Sequence, residues 1–288
     1  LRLKNGASLT AGTIYVGRKQ GGAGSLQANG STLTVTSAFL SGSEGGNYNQ
    51  VVLTNRAALI KRGTSFSATQ YGRGDFVVSD CSTVGVRDAG SVVTFATNVG
   101  SVATIRIEKN SVFQLPAANS VLQIGAAGDA AMEVTGGSRL QAAGIEMPGA
   151  ASVVAGSSLL RVTDSLLSLG AGGVRSASAY VPSGLILSNA TLRADTNTIL
   201  FLPAVVKGAG SVVDTGAYTL TAMWPLCGDG LAKQGAGTLT LIPKNALTGT
   251  VSITQGKVNI APIPYVWCAD DLTSFTNGQA VTSWQEHN

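Results

Sequence analysis

A nucleophile or a proton relay needs a base, and near neutral pH histidine is the usual one. This chain has one histidine, His287, next to its last residue. A Ser-His-Asp or Cys-His site therefore has no base within the body of the chain, and a His-ligated metal site is equally unsupported. Paired carboxylates are the other route, because acid-base attack on a glycosidic bond needs two or three acids converging on one face. The densest acidic group is Asp75, Asp80 and Asp88, with Arg73 and Arg87 close in sequence. Spacings of five and eight residues do not by themselves place these acids on one face. The plain alternative is three solvated turn residues. Asp270-Asp271 is a second pair, and it suits an Asx turn equally well.

The remaining motifs are weaker. Arg73-Gly74-Asp75 spells the integrin-recognition tripeptide, which works only in an exposed loop. Tyr71 beside it is a single aromatic that could face a sugar. Asn29-Gly30-Ser31 and Asn189-Ala190-Thr191 fit the glycosylation sequon, as a repeat rich in Asn, Gly and Ser does by chance. No Gly-rich loop ends in Gly-Lys-Ser or Gly-Lys-Thr, so phosphate cradling has no support. The three cysteines, Cys81, Cys227 and Cys268, form no CxxC pair. An odd number leaves no complete intrachain framework. Cys227 and Cys268 pair if their coils stack; otherwise all three are buried thiols acting as small hydrophobes. The patterns of polygalacturonase-like hydrolases (paired Asp with His-Gly) and of pectate lyases (clustered Arg and Asp) are missing. No catalytic, cofactor-binding or metal-ligating residue is assigned, no cofactor is implied, and no ligand-binding residue can be named. The expectation is a protein that is not an enzyme.

Such a chain must then be explained by its elements. Hydrophobic residues make up 44% and charged residues 12%, about half the usual charged share. The polar surface must therefore come from Ser, Thr, Asn and Gln. Thirty-seven glycines and 6% aromatics point to a narrow core of small and β-branched residues between closely stacked turns. The formal charge of +4 is spread as single or paired cations, such as Arg18-Lys19 and Lys61-Arg62. Nucleic-acid binders carry clustered Lys and Arg instead, so no nucleic-acid partner is expected. No apolar run reaches about 18 residues, so this segment is not expected to insert into a membrane. The chain does not open with Met, and Leu1 already lies in repeat sequence, which reads as a piece of a longer protein.

One short phrase recurs: Gly or Asn, a small polar residue, then an aliphatic one. It stands at Asn29-Gly30-Ser31-Thr32-Leu33, Asn110-Ser111-Val112, Gly137-Ser138-Arg139-Leu140, Gly210-Ser211-Val212 and Gly237-Thr238-Leu239, among others. Neighbouring copies are mostly about 19 to 27 residues apart, the length of one solenoid coil. Each phrase leads into a short alternating strand. Leu33 and Val35 alternate with threonines, as do Leu239 and Leu241; Val251 and Ile253 alternate with Ser252 and Thr254. A period of two sends one set inward and the other outward. Gly and Asn tolerate the positive φ of tight corners. No amphipathic helix is convincing. The fold expected is all-β, a right-handed parallel β-helix of about ten to twelve coils spaced about 4.8 Å apart.

The stretch Gly228-Asp229-Gly230-Leu231-Ala232-Lys233-Gln234-Gly235-Ala236-Gly237-Thr238-Leu239-Thr240-Leu241 carries a familiar signature, continued by Asn245, Thr248-Gly249-Thr250-Val251 and Gln255-Gly256-Lys257-Val258. It resembles the autotransporter-associated β-strand repeat of bacterial secreted and surface proteins. The resemblance implies a passenger-type β-helix and is nearly silent on activity. Lys257 and Pro243 depart from it, and Pro243 is expected at a corner. It covers residues 228–260 most clearly and residues 1–261 loosely. The tail, residues 262–288, changes character around Val266-Trp267-Cys268-Ala269-Asp270-Asp271-Leu272. It resembles the opening strands of a concanavalin- or laminin-G-like jelly roll; the alternative is an aromatic cap on the last coil.

Three functions remain open at this point. The leading expectation is a rigid stalk or fibre segment of a bacterial surface or secreted protein, extracellular or on the cell surface, that self-associates into filaments through its open terminal coils. The second is an adhesin for cell-surface glycans or host surfaces. The third is a polysaccharide lyase, hydrolase or tailspike-type depolymerase.

Overall fold

In the computed structural model, residues 1–18, 21–43, 48–63, 65–147, 156–176, 183–242 and 245–260 are described. Among them every regular element is a β-strand, and none is a helix. Eleven strands form one sheet: Arg2–Lys4, Gly24–Asn29, Tyr48–Thr54, Arg73–Val78, Val102–Ile107, Asp129–Thr135, Ser158–Thr163, Ser183–Ser188, Ala204–Lys207, Leu226–Gly228 and Ala246–Leu247. The pairing is parallel and follows chain order, so each strand bonds to its equivalent one coil later. Eighteen strands form the second assembly. It contains two ladders, because each coil crosses it twice. Ser8–Val16, Thr32–Ser41, Arg139–Glu146 and Leu166–Arg175 bend and serve both ladders. The ladder slips at the bends between Ala11 and Thr13 and between Ala142 and Gly144, where a bulge turns the corner. The chain is a parallel β-solenoid with three ladders around one core.

Alternation decides which side chains fill it. Strand Thr32–Ser41 buries Leu33 and Val35 between half-exposed threonines, and Thr238–Leu241 buries Leu239 and Leu241. Val251 and Ile253 stand on the corresponding rows of the last described coil, opposite Leu231 and Lys233, and are exposed there. The inward period therefore holds, while burial needs a coil on each side.

The recurring phrase acquires a physical reason at the corner between the first and second ladders. Ser31, Ala57, Ser82, Ser111, Ser138, Ser165, Ala190 and Ser211 stack there, all buried. The Ser82 Oγ accepts the Ala57 N–H at 3.1 Å, Ser111 that of Ser82 at 3.1 Å, Ser138 that of Ser111 at 3.1 Å, and Ser165 that of Ser138 at 3.2 Å. A buried N–H without an acceptor is costly, and a hydroxyl is the smallest side chain that supplies one. The residues just before this column take left-handed backbone: Asn55 and Arg56 (φ 55° and 62°), Asp80 and Cys81 (56° and 60°), Lys109 and Asn110 (56° and 58°). Asn in the phrase was expected there; Arg56, Cys81 and Lys109 were not, and the bonds on either side of the corner hold them in it.

The core departs from expectation in two ways. Five of the seven phenylalanines, Phe39, Phe66, Phe76, Phe95 and Phe113, line up inside, with ring centroids 4.8 Å apart for Phe39–Phe66 and 5.5 Å for Phe76–Phe95. The core is therefore rich in aromatic contacts in this region. Lys61 and Lys233 are fully buried on inward rows. The Lys233 ammonium donates to the carbonyls of Gln234 (2.8 Å), Gly235 (2.8 Å) and Gln255 (3.1 Å). Lys61 donates in the same way to Ser37, Arg62 and Gly63. Burial lowers both pKa values from the ordinary lysine value, with Asp88 and Asp214 opposing it respectively. Each ammonium caps the turn carbonyls of its corner. Pro243 and residues 262–288 lie outside the described residues.

Candidate functional site

The acidic group singled out from sequence does not come together. Asp75 faces outward from the eleven-stranded sheet and accepts the Tyr48 O–H at 2.6 Å. That bond, burial and the Asp75 charge raise the Tyr48 pKa. Asp80 sits at the next corner, where it accepts the Thr54 hydroxyl at 2.5 Å and faces Lys109 at 3.3 Å. Asp88 lies beyond the following strand and accepts the Gly63 N–H. The three acids thus occupy a sheet face and two successive corners, and each is committed to a neighbouring coil. Arg87 folds over Gly85, where an added Cβ would meet its Nε at 3.2 Å.

Arg73-Gly74-Asp75 belongs to a strand paired on both sides, to Tyr48–Gln50 and to Val102–Thr104, with Gly74 buried. The exposed loop that the tripeptide needs is not there. Tyr71 is exposed. Asn29 accepts the Asn55 side-chain amide at 3.1 Å, and Asn189 accepts the Gly210 N–H at 3.4 Å, so both sequon asparagines serve the stacking. Cys81 is exposed and Cys227 half-buried, and among the described residues neither is in a disulfide; the expected Cys227–Cys268 pair involves a residue outside them. Cys268, Asp270, Asp271 and His287 lie outside the described residues.

The structure instead brings together four residues that sequence spacing does not connect. At the corner between the second and third ladders, the chain spends residues 116–120 in one coil and 195–197 in another. In the two coils between, the bent strands Arg139–Glu146 and Leu166–Arg175 turn the same corner with Ala142, Ala143 and Gly144, and with Gly170, Ala171 and Gly172. The result is a notch of about 560 Å³, walled by Pro116–Val121 on one side and by Asp195 and Thr196 on the other. Its floor must be small: an added Cβ at Gly172 would lie 2.8 Å from the Gly144 Cα, and one at Gly170 would lie 2.8 Å from the Ala143 Cα.

Gln141, Glu146, Arg175 and Asp195 line the notch. Gln141 donates to Asp195 Oδ2 at 2.8 Å across two coils, and Arg193 approaches Asp195 Oδ1 at 3.5 Å. Glu146 accepts from Arg175 Nε at 2.9 Å and from the Gln123 amide at 3.0 Å. The outward row of the third ladder runs Thr94, Gln123, Glu146, Arg175 and Phe201, so exposed Phe201 follows Arg175 on that row, just outside the residues that line the notch. This arrangement offers oriented acceptors and donors beside an apolar floor. Among the described residues, no group of three His, Cys, Asp or Glu side chains could hold a metal ion. Among them, too, no helix is long and apolar enough to cross a membrane.

Comparison with known proteins found no matching family model, no matching curated protein and no matching solved structure. The only hints of the notch in the sequence are the two runs of small residues, Ala142-Ala143-Gly144 and Gly170-Ala171-Gly172.

Proposed function

We propose that the chain is a rigid spacer: a right-handed solenoid of about ten to twelve coils that holds distance in an extracellular or cell-surface protein of a bacterium. The observation that carries this role is the unbroken parallel ladder of eleven strands, roughly 50 Å of stacked backbone. Side-chain columns reinforce it: the serine ladder, the phenylalanine stack and the Glu146–Arg175 and Lys109–Asp80 pairs all join one coil to the next. Bonding between successive coils along the whole rod resists bending and proteolysis, and it can be lengthened without redesign. The resemblance of residues 228–260 to the autotransporter-associated repeat supports the secreted setting.

The spacer role needs no catalytic group, and the dispersal of Asp75, Asp80 and Asp88 favours it over a depolymerase. End-to-end self-association belongs to the same proposal, because Val251, Ile253 and Ile260 are exposed on the last described coil. Small-angle scattering of the purified chain should give an elongated particle whose cross-section is that of one coil. Antibody labelling of intact cells should find it outside. A compact particle, or labelling only after lysis, would remove the spacer role; light scattering that stays monomeric at high concentration would remove the filament.

A further inference from the structure

We propose that the notch between the Pro116–Val121 wall and Asp195–Thr196 binds a neutral saccharide, as a site built into the side of the rod. The site goes beyond the spacer role and does not depend on it. Size comes first. Two coils are cut back at this corner, which opens a gap of about 10 Å along the axis. A volume of about 560 Å³ falls within the range of small-molecule sites and suits one or two sugar rings.

Chemistry comes second. The floor, from Ala142 to Gly144 and Gly170 to Gly172, presents only backbone and methyl groups. Such a surface matches the C–H face of a pyranose ring. The planar groups of Gln141, Glu146, Asp195 and Arg175 stand around it, and paired donors and acceptors of this kind suit adjacent hydroxyls. They are already oriented by the Gln141–Asp195 and Arg175–Glu146 bonds, so little side-chain freedom is lost on binding. Phe201 does not line the notch, but it is 49% exposed and pairs with Arg175 on the neighbouring coil, which places a ring within reach of a sugar that extends past Arg175.

Charge decides the class of saccharide. Glu146 and Asp195 are each matched by a guanidinium, Arg175 and Arg193. The site therefore has no surplus cation for a sulfated or uronic polymer and no surplus carboxylate for a basic ligand. A neutral hexose-based oligosaccharide fits, and an acidic one does not.

The test uses the full chain on an array of neutral and acidic oligosaccharides, followed by titration of the best neutral hit. Neutral glycans should bind and acidic ones should not. Ala171→Trp, at an exposed position on the floor, should weaken binding at least tenfold by filling the notch. Phe201→Ser, just outside the notch, should weaken it about three- to tenfold. Circular dichroism checks that both variants keep the β-sheet signal, and Phe201→Ser decides the matter if Ala171→Trp fails to fold. A blank array, binding confined to acidic glycans, or neutral-glycan binding unchanged in a folded variant would overturn the proposal. A blank array would leave the spacer role standing, since scattering and labelling test that separately.

Discussion

The hydroxyl oxygen of Ser111 accepts the backbone N–H of Ser82, one coil earlier and 29 residues back, at 3.1 Å. The same bond repeats from Ala57 to Ser165, so one side-chain type at one corner ties successive coils together. Ser111→Ala should leave the Ser82 amide buried without its acceptor, at a cost of about 1–3 kcal/mol. Ala57 interrupts the column, and Ala57→Ser should stabilise by about 0.5–1 kcal/mol through a new acceptor facing Ser31. Denaturant midpoints measure both. Amide exchange at Ser82 that is no faster in Ser111→Ala would count against the ladder as a source of stability.

Phe76 packs against Phe39, Phe66, Phe95 and Phe113, with centroids 5.5 to 6.5 Å away. Phe76→Ala should cost about 3–5 kcal/mol. Because a solenoid transmits contacts only between neighbouring coils, the loss should be regional. Hydrogen exchange should rise around residues 39–113 and change little beyond Leu185. A uniform rise along the chain would contradict this.

Lys233 is buried with its ammonium on three carbonyls. Lys233→Met preserves length and removes the donor, leaving those carbonyls poorly satisfied. The expected loss is about 1–3 kcal/mol, read as a lower melting temperature. An unchanged or higher melting temperature would show that desolvation of the ammonium outweighs its bonds.

The Thr54 hydroxyl and the Lys109 ammonium hold the Asp80 pKa below its ordinary value of 3.8. The folded state therefore releases this proton more readily than the unfolded chain does. The resulting stabilisation is fully present above pH 3.8 and is lost as pH falls through the lower folded value. Asp80→Asn should be less stable than the parent near neutrality, and the difference should shrink on acidification. Parallel pH profiles for the two proteins would refute this assignment.

Much of the fold was legible in the chain because alternation is local. Leu33 with Val35 and Leu239 with Leu241 point inward as their period of two requires. The Gly/Asn-Ser phrase marked corners correctly, although the reason for serine emerged only with the stacked amides. The phenylalanines were few enough to promise an aromatic-poor core, yet five of them meet. Nothing in their spacing says so, because the register between coils depends on how many residues each corner consumes: partners stand 25 residues apart at Ala57–Ser82, 29 at Ser82–Ser111 and 19 at Thr215–Gln234.

The same dependence hid the notch. Asp75, Asp80 and Asp88 are close in sequence and were the natural candidates, but steps of five and eight residues carry the chain part-way around a coil and so separate them. Gln141 and Asp195, 54 residues apart, meet at 2.8 Å because two circuits return the chain to the same side. By itself, then, the sequence determined which side chains face inward and where the chain turns, since both follow from backbone period and left-handed corners. Only the closed circuit decided which residues stack on which, and hence that two short corners between longer ones leave a walled opening. Register around a solenoid is a sum over whole coils, and no local window contains it.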